Sequence, residues 1–222
     1  MKEYQSSFIE FLIQSEALCF GEFTLKSGRV SPYFFNSARF NTGKSIATLS
    51  RFYSQHIIET IGNDCVSVFG PAYKGIPLAV ATAMTLCSEF NYQIGYTFNR
   101  KEAKDHGDRG ELVGLNLNKG DAIVIVEDVI TAGTTLKEVV PQLRERYQVN
   151  IKGVIIALDR CERGGDSTCS AKDEAARDLG LNIYPLVTTH EIIAYIEKQE
   201  SNHTLKKYLP LMKQYLETYG AK

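Results

Sequence analysis

The segment richest in chemistry is Ala122 to Thr135, AIVIVEDVITAGTT. An almost unbroken apolar run ends in two adjacent carboxylates, Glu127 and Asp128. It continues through Val129 and Ile130 into the small and hydroxylated residues Thr131, Ala132, Gly133, Thr134 and Thr135, ahead of a helical pattern. In an open parallel sheet, ligands settle beyond the carboxyl ends of the strands, so a strand that stops here delivers both acids to the ligand position. Backbone N–H groups of a tight TAGTT turn, backed by a helix N-terminus, can cradle a phosphate. The acids cannot hold that phosphate, because like charges repel; they suit sugar hydroxyls, a metal or a developing cation. A ligand with a phosphate at one end and hydroxyls at the other meets both demands, and a ribose 5-phosphate is one. Competing phosphate motifs fail: Thr42 to Ser45 end like a P-loop, but Ala38 stands where its first glycine is needed, and GxGxxG does not occur.

Four other segments carry candidate groups. GPAYKGIPLA, Gly70 to Ala79, leaves a strand through Gly-Pro and enters a helix at Pro77, exposing backbone amides and Lys74 to an anion such as a diphosphate. Asn99 to Gly114 sets Arg100, Lys101, Lys104 and Arg109 against Glu102, Asp105, Asp108 and Glu111, which taken alone describes a soluble loop. TLKSGRVSPYFFN, Thr24 to Asn36, places Phe34 beside Phe35 near a turn, where adjacent rings can supply apolar walls. Asp159 and Arg160 close another apolar run.

The elements that must position these groups follow from periodicity. Short β-rich runs at 66–69, 94–98, 122–126, 154–158 and 183–187 alternate with helical patterns at 76–90, 134–147 and 171–179. That alternation predicts an α/β fold with a mainly parallel central sheet flanked by helices. Upstream, Ser7 and Glu10 read as a capping box for an opening helix, a small hairpin is expected within 23–40, and Ile46 to Ile61 recur at helical spacing up to Gly62. Pro141 should kink its helix, and the tail from Asn202 reads as one last amphipathic helix. The organisation expected is a single domain over 1–222: a small N-terminal hood mainly from 1–62, an α/β core over about 63–188, and C-terminal helices over about 189–222.

The chain's 222 residues, 44% hydrophobic and 23% charged, match an ordinary globular domain. A net charge of -1 offers no broad basic field, so no nucleic-acid partner is expected and any polyanion must meet a local cluster. The longest mostly apolar run, 75–87, is too short to span a bilayer, and Glu3 and Glu10 interrupt any signal peptide, so a cytoplasmic protein without membrane contact is expected. Five cysteines without metal-ligand spacing predict reduced, mostly buried thiols. His56, His190 and His203 read as structural or exposed.

The Ala122 to Thr135 segment closely resembles the binding motif for 5-phosphoribosyl 1-diphosphate (PRPP) of type I phosphoribosyltransferases. The resemblance gives Glu127 and Asp128 the ribose hydroxyls and Thr131 to Thr135 the 5-phosphate, and it counts Val129 and Ile130 among the PRPP-binding residues. Glu127 stands where many relatives have Asp. Together with the hood-like Thr24 to Asn36, it narrows to the orotate phosphoribosyltransferases, which convert orotate and PRPP to orotidine 5′-monophosphate and diphosphate with Mg²⁺ in pyrimidine synthesis. The same resemblance brings Lys26, Tyr73, Lys74, Arg100, Lys101, Lys104 and His106 to PRPP, and Phe34, Phe35, Thr131 and Arg160 to orotate. Lys104 and Asp128 take catalytic roles. It implies no dedicated metal ligands, Mg²⁺ being held mainly by PRPP and water. It also implies a homodimer sharing the Arg100 to His106 loop. A purine phosphoribosyltransferase, or a noncatalytic regulator that binds PRPP, is the alternative.

Overall fold

A computed structural model describes residues 1–101, 111–131, 133–164, 168–199 and 203–221. The chain opens with α1 (Glu3–Gln14), which begins a turn earlier than the Ser7–Glu10 reading. Gln5 Oε1 accepts the Lys2 N–H at 2.8 Å, while Ser7 turns its hydroxyl back onto the Glu3 carbonyl inside the helix. An antiparallel hairpin follows, β1 (Leu18–Thr24) with β2 (Val30–Phe35). It starts before the expected segment, and Gly28 at φ +80° closes its turn, a conformation that costs glycine little. After a single 3₁₀ turn at Ser37–Arg39 comes α2 (Gly43–Thr60), whose N-cap Thr42 Oγ1 accepts the Ser45 N–H.

The alternation then builds β3 (Ser67–Phe69), α3 (Gly75–Phe90), β4 (Gly95–Asn99), β5 (Leu112–Gly114), β6 (Ala122–Val129), α4 (Thr134–Glu145), β7 (Asn150–Asp159), α5 (Ala171–Leu179) and β8 (Ile183–Thr188). These strands form one sheet in the order β5-β4-β3-β6-β7-β8, parallel except where β5 runs against β4. β5 escaped the sequence reading because three residues carry too little pattern. Its pairing makes 100–111 the connection of a hairpin, with the Arg100 N–H on the Glu111 carbonyl at 2.8 Å. α4 runs on through Pro141, whose ring is on the exposed side. Downstream lie α6 (Thr189–Lys198), α7 (His203–Lys206) and α8 (Leu209–Tyr219). The expected single tail helix is thus broken, and α8 restarts with Pro210 in its first turn.

Burial explains the composition of β6. Ile123 and Ile125 pack against α4 and α5, whereas Val124 and Val126 face the core built with α1, α2 and α3, all four fully buried. A strand covered on both faces must be apolar throughout, each buried side chain contributing about 1.5–3 kcal/mol. Among the described residues, no helix is long and apolar enough to cross a membrane. No disulfide joins the five cysteines; only Cys65 is buried and Cys87 is exposed, so the thiols are less buried than expected.

The loop after β3 is drawn tight on itself. The Gly75 N–H donates to the Pro71 carbonyl, the Ala72 N–H to Asn99 Oδ1, and a Cβ on Gly70 would stand 2.0 Å from the Gly75 carbonyl oxygen. Gly70→Ala should therefore lower stability by roughly 1–3 kcal/mol or more. The urea midpoint measures this; a wild-type midpoint would show that the loop relaxes freely.

Candidate active site

Because β3, β4, β6 and β7 are parallel, the segments leaving their carboxyl ends emerge along one edge of the sheet. From β3 the chain steps outward to β4 and β5, then returns to β6 and steps the other way to β7 and β8. The crevice between β3 and β6 is thus a topological switch point, where open α/β sheets bind ligands. This topology brings Tyr73, Lys74, Arg100, Lys101, Glu127 to Thr131, Gly133 to Thr135 and Arg160 to the same edge. Lys104, His106 and Ala132 lie outside the described residues.

The two acids point to opposite faces, as consecutive strand residues must. Asp128 turns toward the β3 side. Its Oδ1 accepts the Val129 N–H at 2.8 Å, and its Oδ2 meets Lys74 Nζ at 2.8 Å and the hydroxyl of Ser37. Lys74 Nζ also reaches Ser37 Oγ at 3.1 Å. Ser37, at the exit of the hairpin, is a contributor that its residue type did not advertise. Glu127 is buried on the other face, and the buried Tyr53 from α2 donates its hydroxyl to the Glu127 carbonyl at 2.8 Å, fixing the strand end. Burial, reinforced by the neighbouring Asp128 carboxylate, pushes Glu127 up to about 7.

Beside Glu127 a small pocket of about 80 Å³ is lined by Val129, Ile130, Thr131, Gly133, Thr134 and Thr135. Gly133 sits at φ +67° as the N-cap of α4, so the chain doubles back and aims the helix's first N–H groups into this pocket. The pocket suits a phosphate group, and the partly neutral Glu127 beside it moderates the repulsion that a fixed carboxylate would impose. A larger cavity of about 490 Å³ lies between the hairpin and α8, and none of the residues singled out from sequence lines it.

Around this centre, Tyr73 stands exposed with Lys101 Nζ 5.1 Å from its ring centroid, a cation over an aromatic face. Lys26 is exposed in the hairpin turn. The β2 alternation separates the two phenylalanines: Phe35 joins the core near Phe40, whereas Phe34, 37% exposed, leans on Phe23 and is the ring open to a ligand. Arg160 leaves β7 as the most buried of these cations, its guanidinium 4.4 Å from the Tyr33 ring centroid and bound to Glu162 at 2.7 Å. Glu162 and Tyr33 were not singled out from sequence, although Glu162 lies only two residues from Arg160.

Comparisons with known proteins agree with this geometry. A family model for the phosphoribosyl transferase domain matches residues 37–174. An orotate phosphoribosyltransferase of Shewanella oneidensis is 47% identical over 220 residues, 99% of each chain. Another, of Clostridium acetobutylicum, is 42% identical over 226 aligned positions and 100% of each chain. The crystal structure of orotate phosphoribosyltransferase from Francisella tularensis superposes with a TM-score of 0.84 at 37% identity, covering 96% of this chain and 99% of that one.

The position of Glu127 predicts a pH dependence of stability. A carboxyl held near 7 in the fold but near 4.5 when unfolded favours the folded state at low pH, and that contribution is lost as pH rises through about 7. Glu127→Gln should match wild type near pH 4.5 and exceed it increasingly up to about pH 7, by roughly 3 kcal/mol at most. Denaturant titrations across that range measure it; parallel curves would show that Glu127 ionises normally.

Proposed function

The chain belongs to the orotate phosphoribosyltransferase family, and we propose that it works through the residues gathered at the carboxyl edge of the sheet. It transfers the 5-phosphoribosyl group of PRPP to orotate, giving orotidine 5′-monophosphate and diphosphate. The product feeds the synthesis of UMP. The observation that carries the residue assignment is the joint at the switch point, where a phosphate-sized pocket at the start of α4, Glu127, Asp128 and Lys74 adjoin in one crevice.

In this reading the α4 N-terminus and Val129 to Thr135 hold the 5-phosphate, and Asp128 with Glu127 accepts hydrogen bonds from the ribose hydroxyls. Lys74, Tyr73, Lys26, Arg100 and Lys101 meet the diphosphate. The bond from the anomeric carbon to the diphosphate oxygen breaks while one forms to a nitrogen of orotate, so positive charge grows on the sugar and negative charge on the leaving group. Asp128 lies on the sugar's side of that separation and Lys74 on the diphosphate's side, which lowers the barrier by oriented charge. Phe34 and Thr131 border the base, and Arg160 takes its carboxylate.

The oxygen donors of the edge fit Mg²⁺, a hard cation that keeps most of its water. Among the described residues no group of three His, Cys, Asp or Glu gathers as a cage, so PRPP oxygens and water would supply most ligands, with Glu127 and Asp128 as the nearby carboxylates. A Mg²⁺ ion bound there would supply positive charge against the departing diphosphate. We further infer a cytoplasmic homodimer in which the loop carrying Lys104 and His106 covers the diphosphate of the partner subunit.

The direct test follows orotate consumption with PRPP and Mg²⁺, with hypoxanthine and adenine as rival acceptors; turnover of a purine alone would replace the reading. Asp128→Asn and Lys104→Ala should each lower kcat/KM about 10²-fold or more while leaving the thermal midpoint nearly unchanged. Mixed dimers of those two variants should regain activity through the one site that is intact. No recovery after proven subunit exchange would refute loop sharing.

A further inference from the structure

Arg160 is already engaged before any base arrives. Its Nε donates to Glu162 Oε1 at 2.7 Å and its Nη2 to Ser31 Oγ at 3.1 Å, with the guanidinium plane over Tyr33. The other oxygen of Glu162 lies 3.5 Å from Arg29 Nη1, and the Tyr33 hydroxyl is 3.4 Å from Oε1. Arg29 in turn donates to the Arg163 carbonyl at 3.2 Å and lies over Tyr219. The three charged side chains are only 13–20% exposed.

The cluster joins three distant stretches of chain. Arg29, Ser31 and Tyr33 come from the hairpin, and Arg160 comes from the end of the core strand β7. Glu162 is bridged antiparallel to Gly220, with the Arg163 N–H on the Tyr219 carbonyl and the Ala221 N–H on the Cys161 carbonyl. The neighbouring Asp159 carboxylate does not enter the cluster; it accepts the Cys161 N–H and faces Lys172. Burial holds the Tyr33 and Tyr215 phenols above their ordinary range, so they stay neutral. Two guanidinium groups against one carboxylate leave one positive charge in a largely dehydrated place.

We propose that Glu162 is a positioning and specificity-determining residue for the base, tying Arg160 to the hairpin and, through Arg29, reserving one buried positive charge for a carboxylated pyrimidine. This rests on the reading that Arg160 meets the orotate carboxylate. A guanidinium already fixed by a carboxylate and an aromatic face presents its remaining fork with little loss of freedom. A base without a carboxylate leaves the surplus charge uncompensated, and such mismatches discriminate far more strongly than missing apolar contacts. A neutral amide at 162 can accept from one guanidinium but turns N–H groups toward the other, so the two arginines repel and Arg160 leaves its place.

The test compares orotate with uracil, the same ring without the carboxylate, at saturating PRPP and Mg²⁺. Glu162→Gln should raise the KM for orotate about tenfold or more and lower the preference for orotate over uracil by at least about tenfold, with the KM for PRPP within about twofold. Arg29→Gln, which keeps the Arg160–Glu162 pair and cancels the surplus charge, should lower the same preference and serves if Glu162→Gln does not fold. An unchanged preference, tighter orotate binding, or an equal rise in both substrates' KM overturns the proposal. Arg160→Gln separates the two readings: preference lost there but kept in the other variants refutes the role of Glu162 alone, while preference kept in Arg160→Gln refutes the carboxylate contact itself.

Discussion

Two carboxylates on consecutive residues at the end of a buried strand repel each other, and the site is arranged around that repulsion. The strand itself offers the first remedy, since neighbouring side chains leave on opposite faces. Asp128 is met by a backbone N–H, the Ser37 hydroxyl and the Lys74 ammonium. Glu127 is buried beside the Asp128 carboxylate, and these two effects outweigh the more distant Lys74 and push its carboxyl up to about 7. Adjacent acids of similar chemistry thereby acquire different surroundings: one held among donors in the crevice, the other a weaker acid beside a phosphate-sized pocket.

The same division explains how the hairpin is coupled to the sheet. It touches the carboxyl edge twice, once through Ser37 on Asp128 and once through Ser31, Tyr33 and Arg29 around Arg160 and Glu162. In the proposed reading the first contact lies at the sugar's place and the second at the base's. A hairpin has little core of its own, so these polar contacts, together with α8 packed behind it, set where the base-binding face stands relative to the crevice.

Much of this was legible in the sequence, for physical reasons that differ by element. β6 and its turn could be read because a strand buried on both faces must be apolar, so two acids at its end are conspicuous. The helix after it was announced by Gly133 and the threonines. The opening cap was misplaced because Gln5, a residue with no strong capping preference, closes α1 in place of the serine seven residues in. β5 was hidden because three residues cannot establish a period, and the split of the tail followed from Pro210 in a pattern whose apolar spacing ran on regardless. Ser37, Tyr53 and Arg29 were invisible as site residues because they act on Asp128, Glu127 and Glu162, which lie 91, 74 and 133 positions away, and spacing along one segment does not reveal such partners; Glu162, though two residues from Arg160, was hidden because its link to the hairpin spans the same 133 positions.

The two ends of the crevice also differ in stiffness. Lys74 has a side chain 67% exposed, and an ion pair so open to water contributes less than about 1 kcal/mol. In the proposed reading its hold on Asp128 can therefore be exchanged for a diphosphate at small cost, freeing the carboxylate for the sugar. Arg160 and Glu162 are largely out of water, where breaking one partner of a pair costs several times more. The phosphate end is thus held by contacts that yield to an incoming polyanion, whereas the base end is preset. A site so divided can capture the flexible, heavily charged substrate by rearrangement while testing the small, flat one against a shape and charge that do not move.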